Sequence, residues 1–240
     1  ATEDPPAAAG PQEPAPPVGL VEVRILAPPA EAAQKVGEGQ ETPYRWVRGP
    51  LGLRSATLQA PSPPVGLVEV RMNPSKLTTF SLPQLTAADS ITISGLGQSP
   101  LSSLSFPSLK GSLQSLLVGN TSLTTLEAFA GITAITETLV IIGNDKLTNA
   151  ALPNLASAGT LNVASNAVLP AIGLGALTTV TKDVLFQRDP KLETFALPSL
   201  TSVGGKVSLT IPAVTIGLPK LTHVDELVLN PAMLALGVER

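Results

Sequence analysis

The chain has 240 residues, 43% apolar but only 3% aromatic and 14% charged, with a formal net charge of −3. It has no cysteine, which excludes disulfides, thiolate metal sites and cysteine nucleophiles together. No Lys/Arg cluster supplies the footprint of nucleic-acid binding, and no run of 18 apolar residues supplies a transmembrane helix.

Residues 1–64 differ in composition from the rest. "ATEDPPAAAGPQEPAPP" and "APSPP" are rich in Pro and Ala, as in polyproline-like segments. They define an extended N-terminal arm or cap, with room for one or two irregular coils, ahead of a repeat domain over 65–240. An ordered Pro-rich arm must rest on its own domain or on a neighbour, which points to assembly. The chain opens at Ala1 rather than Met. That reads as a processed N-terminus and implies export to the cell surface or extracellular space, or import into an organelle lumen.

The string "PPVGLVEVR" occurs twice, at Pro16–Arg24 and Pro63–Arg71, an offset of 47 residues. Between the copies, "YRWVR" holds the sole Tyr and the sole Trp beside two arginines. Tyr44, Arg45, Trp46 and Arg48 are the residue types most enriched at interface hot spots, so they are the first candidates for a partner contact. The alternative is that Trp46 packs on the repeat domain as part of its cap.

From Leu67 onward, short alternating apolar pairs recur. They are Val68/Val70, Ile91/Ile93, Leu116/Val118, Leu139/Ile141, Leu161/Val163, Val184/Phe186, Val207/Leu209 and Leu227/Leu229. Their first members are 23, 25, 23, 22, 23, 23 and 20 residues apart. Period-2 alternation marks a strand with one buried face, and a fixed spacing near 23 stacks each strand over the previous one. The expectation is an all-β parallel β-solenoid of about eight coils. An offset of 47 is about two steps, so Val21/Val23 would begin the stack, with Tyr44/Trp46 at the step between.

An Asn or Asp follows most strands, at Asn73, Asn120, Asn144, Asn166, Asp189 and Asn230. Such residues at a coil's turn bond backbone groups that lack a ladder partner, and stacked coils would set them in a file. Two strands, at Ile91 and Val207, lack this signature. In the returning half of the coils come "LPQL", "FPSL", "LPNL", "LPSL" and "LPKL", from Leu82, Phe106, Leu152, Leu197 and Leu218. Pro pushes its predecessor toward extended geometry, so these corners close each coil without a helix. Roughly five or six buried aliphatic side chains per coil, each worth about 1.5–3 kcal/mol before chain entropy, cannot sustain one coil alone. Both ends of the rod need covers, for which the Pro-rich arm and "PAMLALGVER" are the candidates.

The strand, Asn-x-x-Leu and Leu-Pro-x-Leu sequence, clearest over Ser122–Asn166 and in "RDPKLETFALPSLTSVGG" from Arg188, resembles the receptor L domain. That family is a leucine-rich-repeat-like, right-handed parallel β-helix of growth-factor receptor ectodomains and of fungal and protist cell-surface proteins. The resemblance covers about two-thirds of the chain, from Leu67 to Asn230. It implies a scaffold that recognises or organises other macromolecules. The receptor versions usually carry cysteines and this chain has none, which tells against a ligand-receptor role while leaving the fold expectation in place.

No residue set points to catalysis, a cofactor or a metal. His223 is the sole histidine, in "KLTHVDEL", and Asp89, Asp183, Asp225 and Glu226 read as turn acids rather than an acid/base pair. "SVGGK" and "GLGQS" lack the Walker spacing. Asn120-Thr121-Ser122 is the one glycosylation sequon, on a ladder residue. Thr78-Thr79, Thr124-Thr125 and Thr178-Thr179 hint at an ice-binding array but skip the coils of Ile91 and Leu139. The reading is a non-catalytic structural or interaction subunit that binds other protein subunits of a larger assembly. The alternatives are a secreted or surface module for a protein or glycan ligand and, remotely, a β-helix carbohydrate-active enzyme.

Overall fold

A strand forms wherever aliphatic and small polar residues alternate, because one pleat face then drops into a shared interior. The structure, a computed structural model, describes residues 21–26, 44–46, 55–57, 67–74, 76–212 and 215–230. Among these there is no α-helix. The strands in chain order begin with β1 (Val21–Leu26), β2 (Tyr44–Trp46), β3 (Ser55–Thr57), β4 (Leu67–Met72), β5 (Thr79–Ser81) and β6 (Ser90–Ser94). Next come β7 (Ser103–Ser105), β8 (Gly111–Gly119), β9 (Ile132–Ile142), β10 (Ala150–Ala151), β11 (Ser157–Ala164) and β12 (Ile172–Gly173). The last are β13 (Thr179–Val180), β14 (Val184–Gln187), β15 (Thr194–Ala196), β16 (Ser202–Thr210), β17 (Thr215–Gly217) and β18 (His223–Leu229).

The fold is all-β, a parallel β-solenoid. Strands β4, β6, β8, β9, β11, β14, β16 and β18 lie side by side in chain order, giving seven parallel steps. Ile91 faces Leu116, then Leu139, Leu161, Val184, Val207 and Leu227 follow in one column. The steps of 25, 23, 22, 23, 23 and 20 residues read from the sequence are the register. The first step differs: Ile91 sits opposite Val70 rather than Val68, so it spans 21 residues. The other side of the coil carries shorter parallel ladders, β3–β5–β7, β10–β12 and β15–β17, with isolated bridges at Thr125/Asn149 and Ala171/Thr194.

The two copies of the duplicated string do not lie two coils apart. β1 pairs directly and antiparallel with β4, and β2 lies antiparallel on the far side of β1. Among the described residues of the arm, only β3 adds a parallel rung, onto β5. The rest of residues 1–64, and the "PAMLALGVER" stretch beyond Asn230, lie outside the described residues.

The corner motif resolves into a tight turn. The N–H groups of Leu85, Leu109, Leu155, Leu200 and Leu221 donate to the carbonyls of Leu82, Phe106, Leu152, Leu197 and Leu218, at 3.1–3.2 Å. Pro sits second in the turn, where its fixed φ fits. The residue before it makes the last inter-coil bond, Leu82 to Ser105, Leu152 to Gly173 and Leu197 to Gly217, each 3.0 Å. Pro therefore falls where the ladder ends and its missing N–H is not needed. Leu174 to Leu177 turns the same way without proline. The coil of Leu126 uses a turn of 3-10 helix, Glu127–Phe129.

Inside, the aliphatic column is sealed; Ile91, Leu116, Leu139, Leu161 and Val184 have no exposed surface. Phe80, Phe106 and Phe129 stack in succession, with ring centroids 6.1 and 5.6 Å apart. One glycine is dictated by this closeness. β11 bulges between Ala158 and Thr160, and a Cβ on Gly159 would strike the carbonyl oxygens of Thr136 and Glu137 in the coil below. Deleting packed atoms from such a column leaves a cavity its neighbours cannot fill. Leu139→Ala is expected to lower stability in urea denaturation by about 2–5 kcal/mol. Val168→Ala, at a position 41% exposed, should stay within about 0.5 kcal/mol.

Candidate functional site

Chemistry-bearing side chains gather in two places, a buried file at one corner and the outer face of the large sheet. The file begins with Thr121, whose N–H and Oγ1 donate to Asn144 Oδ1 at 3.1 and 2.6 Å. Asn144 N–H and Nδ2 donate to Asn166 Oδ1 at 3.1 and 3.2 Å. Asn166 N–H and Nδ2 in turn donate to Asp189 Oδ1 at 2.7 and 3.0 Å. The amide nitrogens also reach down to carbonyls, Asn144 to Val118 at 3.0 Å and Asn166 to Ile141 and Ala164 at 3.1 Å. All four side chains are fully buried. They complete backbone groups that the sheet leaves open at its end.

Each file residue is entered through a left-handed one. Asn120, Gly143, Ser165 and Arg188 have φ of 52°, 65°, 57° and 58°. Asn120 therefore stands one place before the file, and Thr121 occupies it. Asn120 Nδ2 donates instead to the Gly95 carbonyl at 3.2 Å. The chain is one residue shorter between Thr121 and Leu123 than between Asn144 and Leu147, which makes Asn120 mimic the motif. Asn73 and Asn230 end their rungs at the Ser94 and Thr210 columns, two places before the file. The Oδ1 of Asn73 is buried without a partner, and Asn230 is exposed. In the coil of Ile91 the equivalent group is Ser99, which sequence reasoning missed; its Oγ donates to the Pro74 carbonyl and receives Leu101 N–H at 3.1 Å. The signal that finds Thr121 and Ser99 is a buried hydroxyl two residues before an inward Leu.

The file ends at Asp189. Arg188 N–H bonds the Thr210 carbonyl at 3.2 Å, so Pro212, which has no side-chain acceptor, stands over Asp189. An open hollow of about 320 Å³ lined by Arg188, Asp189, Pro190, Thr210 and Pro212 marks the break. Asp189 Oδ1 takes the role of an asparagine carbonyl, which puts Oδ2 in the place of the amide nitrogen. Oδ2 is buried and has no hydrogen-bond partner. Burial pushes the Asp189 carboxyl above its ordinary value of 3.8, against the opposing pull of the two Asn166 hydrogen bonds.

The outer face is different in kind. Its middle column runs Thr92, Leu117, Val140, Asn162, Leu185, Ser208, one residue per rung and all partly exposed. On one flank lie Ser90, Ser115, Thr138 and Thr160, and on the other Ser94, Gly119, Ile142 and Ala164. Across the four rungs from β6 to β11, these three columns carry no charge. Ile142 is 37% exposed. The Asn162 Oδ1, between Val140 and Leu185, is buried without a hydrogen-bond partner. This face offers aliphatic contact and hydroxyls, with nothing to repel a partner.

The other singled-out residues fall apart in space. Tyr44, Arg45 and Trp46 form β2, opposite Leu26, Ile25 and Arg24; their side chains, and all of Arg48, lie outside the described residues. His223 Nε2 is 3.5 Å from Asp225 Oδ1, with both side chains largely exposed. Asp183 Oδ1 accepts the Lys206 N–H at 2.9 Å. The sequon is engaged, since Ser122 Oγ donates to the Ser99 carbonyl at 2.8 Å. The Thr pairs split between corners: Ser102 and Thr148 hydroxyls reach the Thr78 and Thr124 carbonyls, whereas Thr178 lies over Ala156. Among the described residues no group of His, Cys, Asp and Glu could hold a metal ion, and no helix is long and apolar enough to cross a membrane. Comparison with protein-family models, curated proteins and solved structures finds no match for this chain.

Two substitutions test the file. Asp189→Asn restores a donor where Oδ2 has no partner. Well below pH 3.8 the carboxyl is protonated in folded and unfolded chains alike. As pH rises, the unfolded chain ionises first, so the wild type loses stability until the raised folded value is passed. Urea midpoints of Asp189→Asn should therefore pull ahead of wild type with rising pH, by about 1–3 kcal/mol at pH 7. Asn166→Ala removes the acceptor of the Asn144 N–H and one partner each from Asn144 Nδ2 and the carbonyls of Ile141 and Ala164, and should cost about 2–4 kcal/mol in the same assay.

Proposed function

We propose that this chain is a non-catalytic structural or interaction subunit, which presents a rigid β-solenoid to other protein subunits of a larger assembly. The observation that carries this reading is the neutral outer face of β6, β8, β9 and β11, with Leu117, Val140 and Ile142 among Ser and Thr. Depletion of charge over a partly apolar centre is the composition of an interface core. A sheet whose rungs are fixed by cross-coil bonds holds such a face flat, so a partner meets it with little ordering cost. The Pro-rich residues of 1–64 supply a second contact. The strand, Asn-x-x-Leu and Leu-Pro-x-Leu pattern supports placing the chain with receptor L-domain-type scaffolds.

The test is the size of the native species. Isolated from its source without detergent or high salt, the protein should migrate as an assembly larger than one chain. Purified chain should rejoin its co-migrating partners, and Leu117→Arg with Val140→Arg should abolish rejoining while leaving the circular dichroism unchanged. Migration at the mass of a single chain, or rejoining unaffected by the two arginines, would overturn the reading.

A further inference from the structure

The duplicated string does something that neither the solenoid nor its outer face requires. β1 and β4 carry the same residues, Val-Glu-Val-Arg, at Val21–Arg24 and Val68–Arg71. Their antiparallel register sets Val23 opposite Val70, Glu22 opposite Arg71, Arg24 opposite Glu69, and Ile25 opposite Val68. The three positions Glu-Val-Arg of one string thus face their mirror positions in the other, about a local twofold axis through the Val23/Val70 pair, and the flanking Val21 and Val68 face Met72 and Ile25. Read antiparallel, the Glu-Val-Arg stretch is its own complement: the central valines meet and each acid stands opposite a base. β4 is fixed on its other edge by the parallel ladder to β6. Its outer edge is therefore a backbone ladder whose occupant is a copy of itself.

We propose that the outer edge of β4 is a homotypic docking edge, on which β4 of a second copy of this chain replaces β1. Val70 then lies opposite Val70 and Glu69 opposite Arg71, and two solenoids join through their N-terminal rungs. This is an isologous contact, closed by its own symmetry, with the antiparallel ladder and the register of acid opposite base of the internal pair. Arg71 is placed for it, because its side chain is 62% exposed while reaching Glu69 Oε1 at 2.6 Å along the same strand. β1 competes from within the chain, as an intramolecular occupant with an effective concentration on the order of mM. The wild type therefore stays monomeric at micromolar concentration, and the docked pair forms when β1 is displaced.

The full-length chain bearing Val23→Pro tests this, since proline in β1 cannot keep its ladder bonds. In sedimentation velocity at micromolar concentration the variant should run as a dimer and the wild type as a monomer. A peptide of residues 19–26 added in excess should return the variant to monomer. Adding Glu69→Arg and Arg71→Glu to Val23→Pro preserves self-complementarity, so that chain should also dimerise. Mixed with the first variant it should not form the hetero-pair, because like charges would face each other at both positions. If the proline variant loses its β-sheet circular dichroism, Glu22→Arg with Arg24→Glu releases β1 by charge and is judged on the same readouts. A folded variant that remains monomeric, a dimer indifferent to the peptide, or free exchange between the two charge patterns would each overturn the proposal.

Discussion

No coil of this chain has an interior of its own. A turn of some twenty-two residues encloses a single layer of apolar side chains, and only the coils above and below cover that layer. The same holds for the backbone, whose N–H and C=O groups on the long face find partners in neighbouring coils rather than within their own. Everything else follows from keeping successive coils in vertical register. The left-handed residue ahead of each file position, the Pro turn at the opposite corner and the glycine at the bulge all serve that alignment.

The polar residues are spent largely on the same task. Thr178, Thr201 and Thr222 each donate a hydroxyl to a carbonyl of the preceding coil, at 2.9–3.0 Å, and within the proline turns the Ser108 hydroxyl and the Asn154 amide do likewise, at 2.8 and 2.9 Å. A composition rich in Ser and Thr therefore supplies corner bonds as well as wet surface. Where the hydroxyls are left facing outward, on Ser115 and Thr138, they accompany aliphatic side chains and no charge in these columns. Charge borders that stretch at Glu69 and Arg71 on the β4 rung, and returns at Asp183, Lys206 and Glu226 nearer the last rungs.

Much of this was legible before any coordinates, and the reason is periodicity. Alternating pairs such as Leu139/Ile141 and Leu161/Val163 report burial directly, and their spacing is the register because a parallel stack repeats once per coil. The corners were legible for a similar reason: Pro between two inward residues has few other uses. What could not be read was hydrogen bonding that ignores residue names. Thr121 and Ser99 do the work of asparagine, while Asn120 matches the motif and serves as the left-handed turn. The direction of β1 was hidden too. An offset of about two periods looks like two coils, and only pairing geometry reveals that the string turns back on its twin. The outer face escaped because period-2 reasoning weighs the buried residues and passes over Leu117, Val140 and Leu185 as the polar half.

The even spacing of the rungs bears on how the chain comes to be folded. Most cross-coil contacts join residues separated by one repeat, so the relative contact order is roughly 0.1, closer to helical bundles than to β-sandwiches. Two adjacent coils suffice as a nucleus, and each further coil condenses on a template already formed, paying only for its own ordering. Growth of that kind can start at any rung and run both ways. It also lets a coil be gained or lost in evolution as one self-contained length of chain.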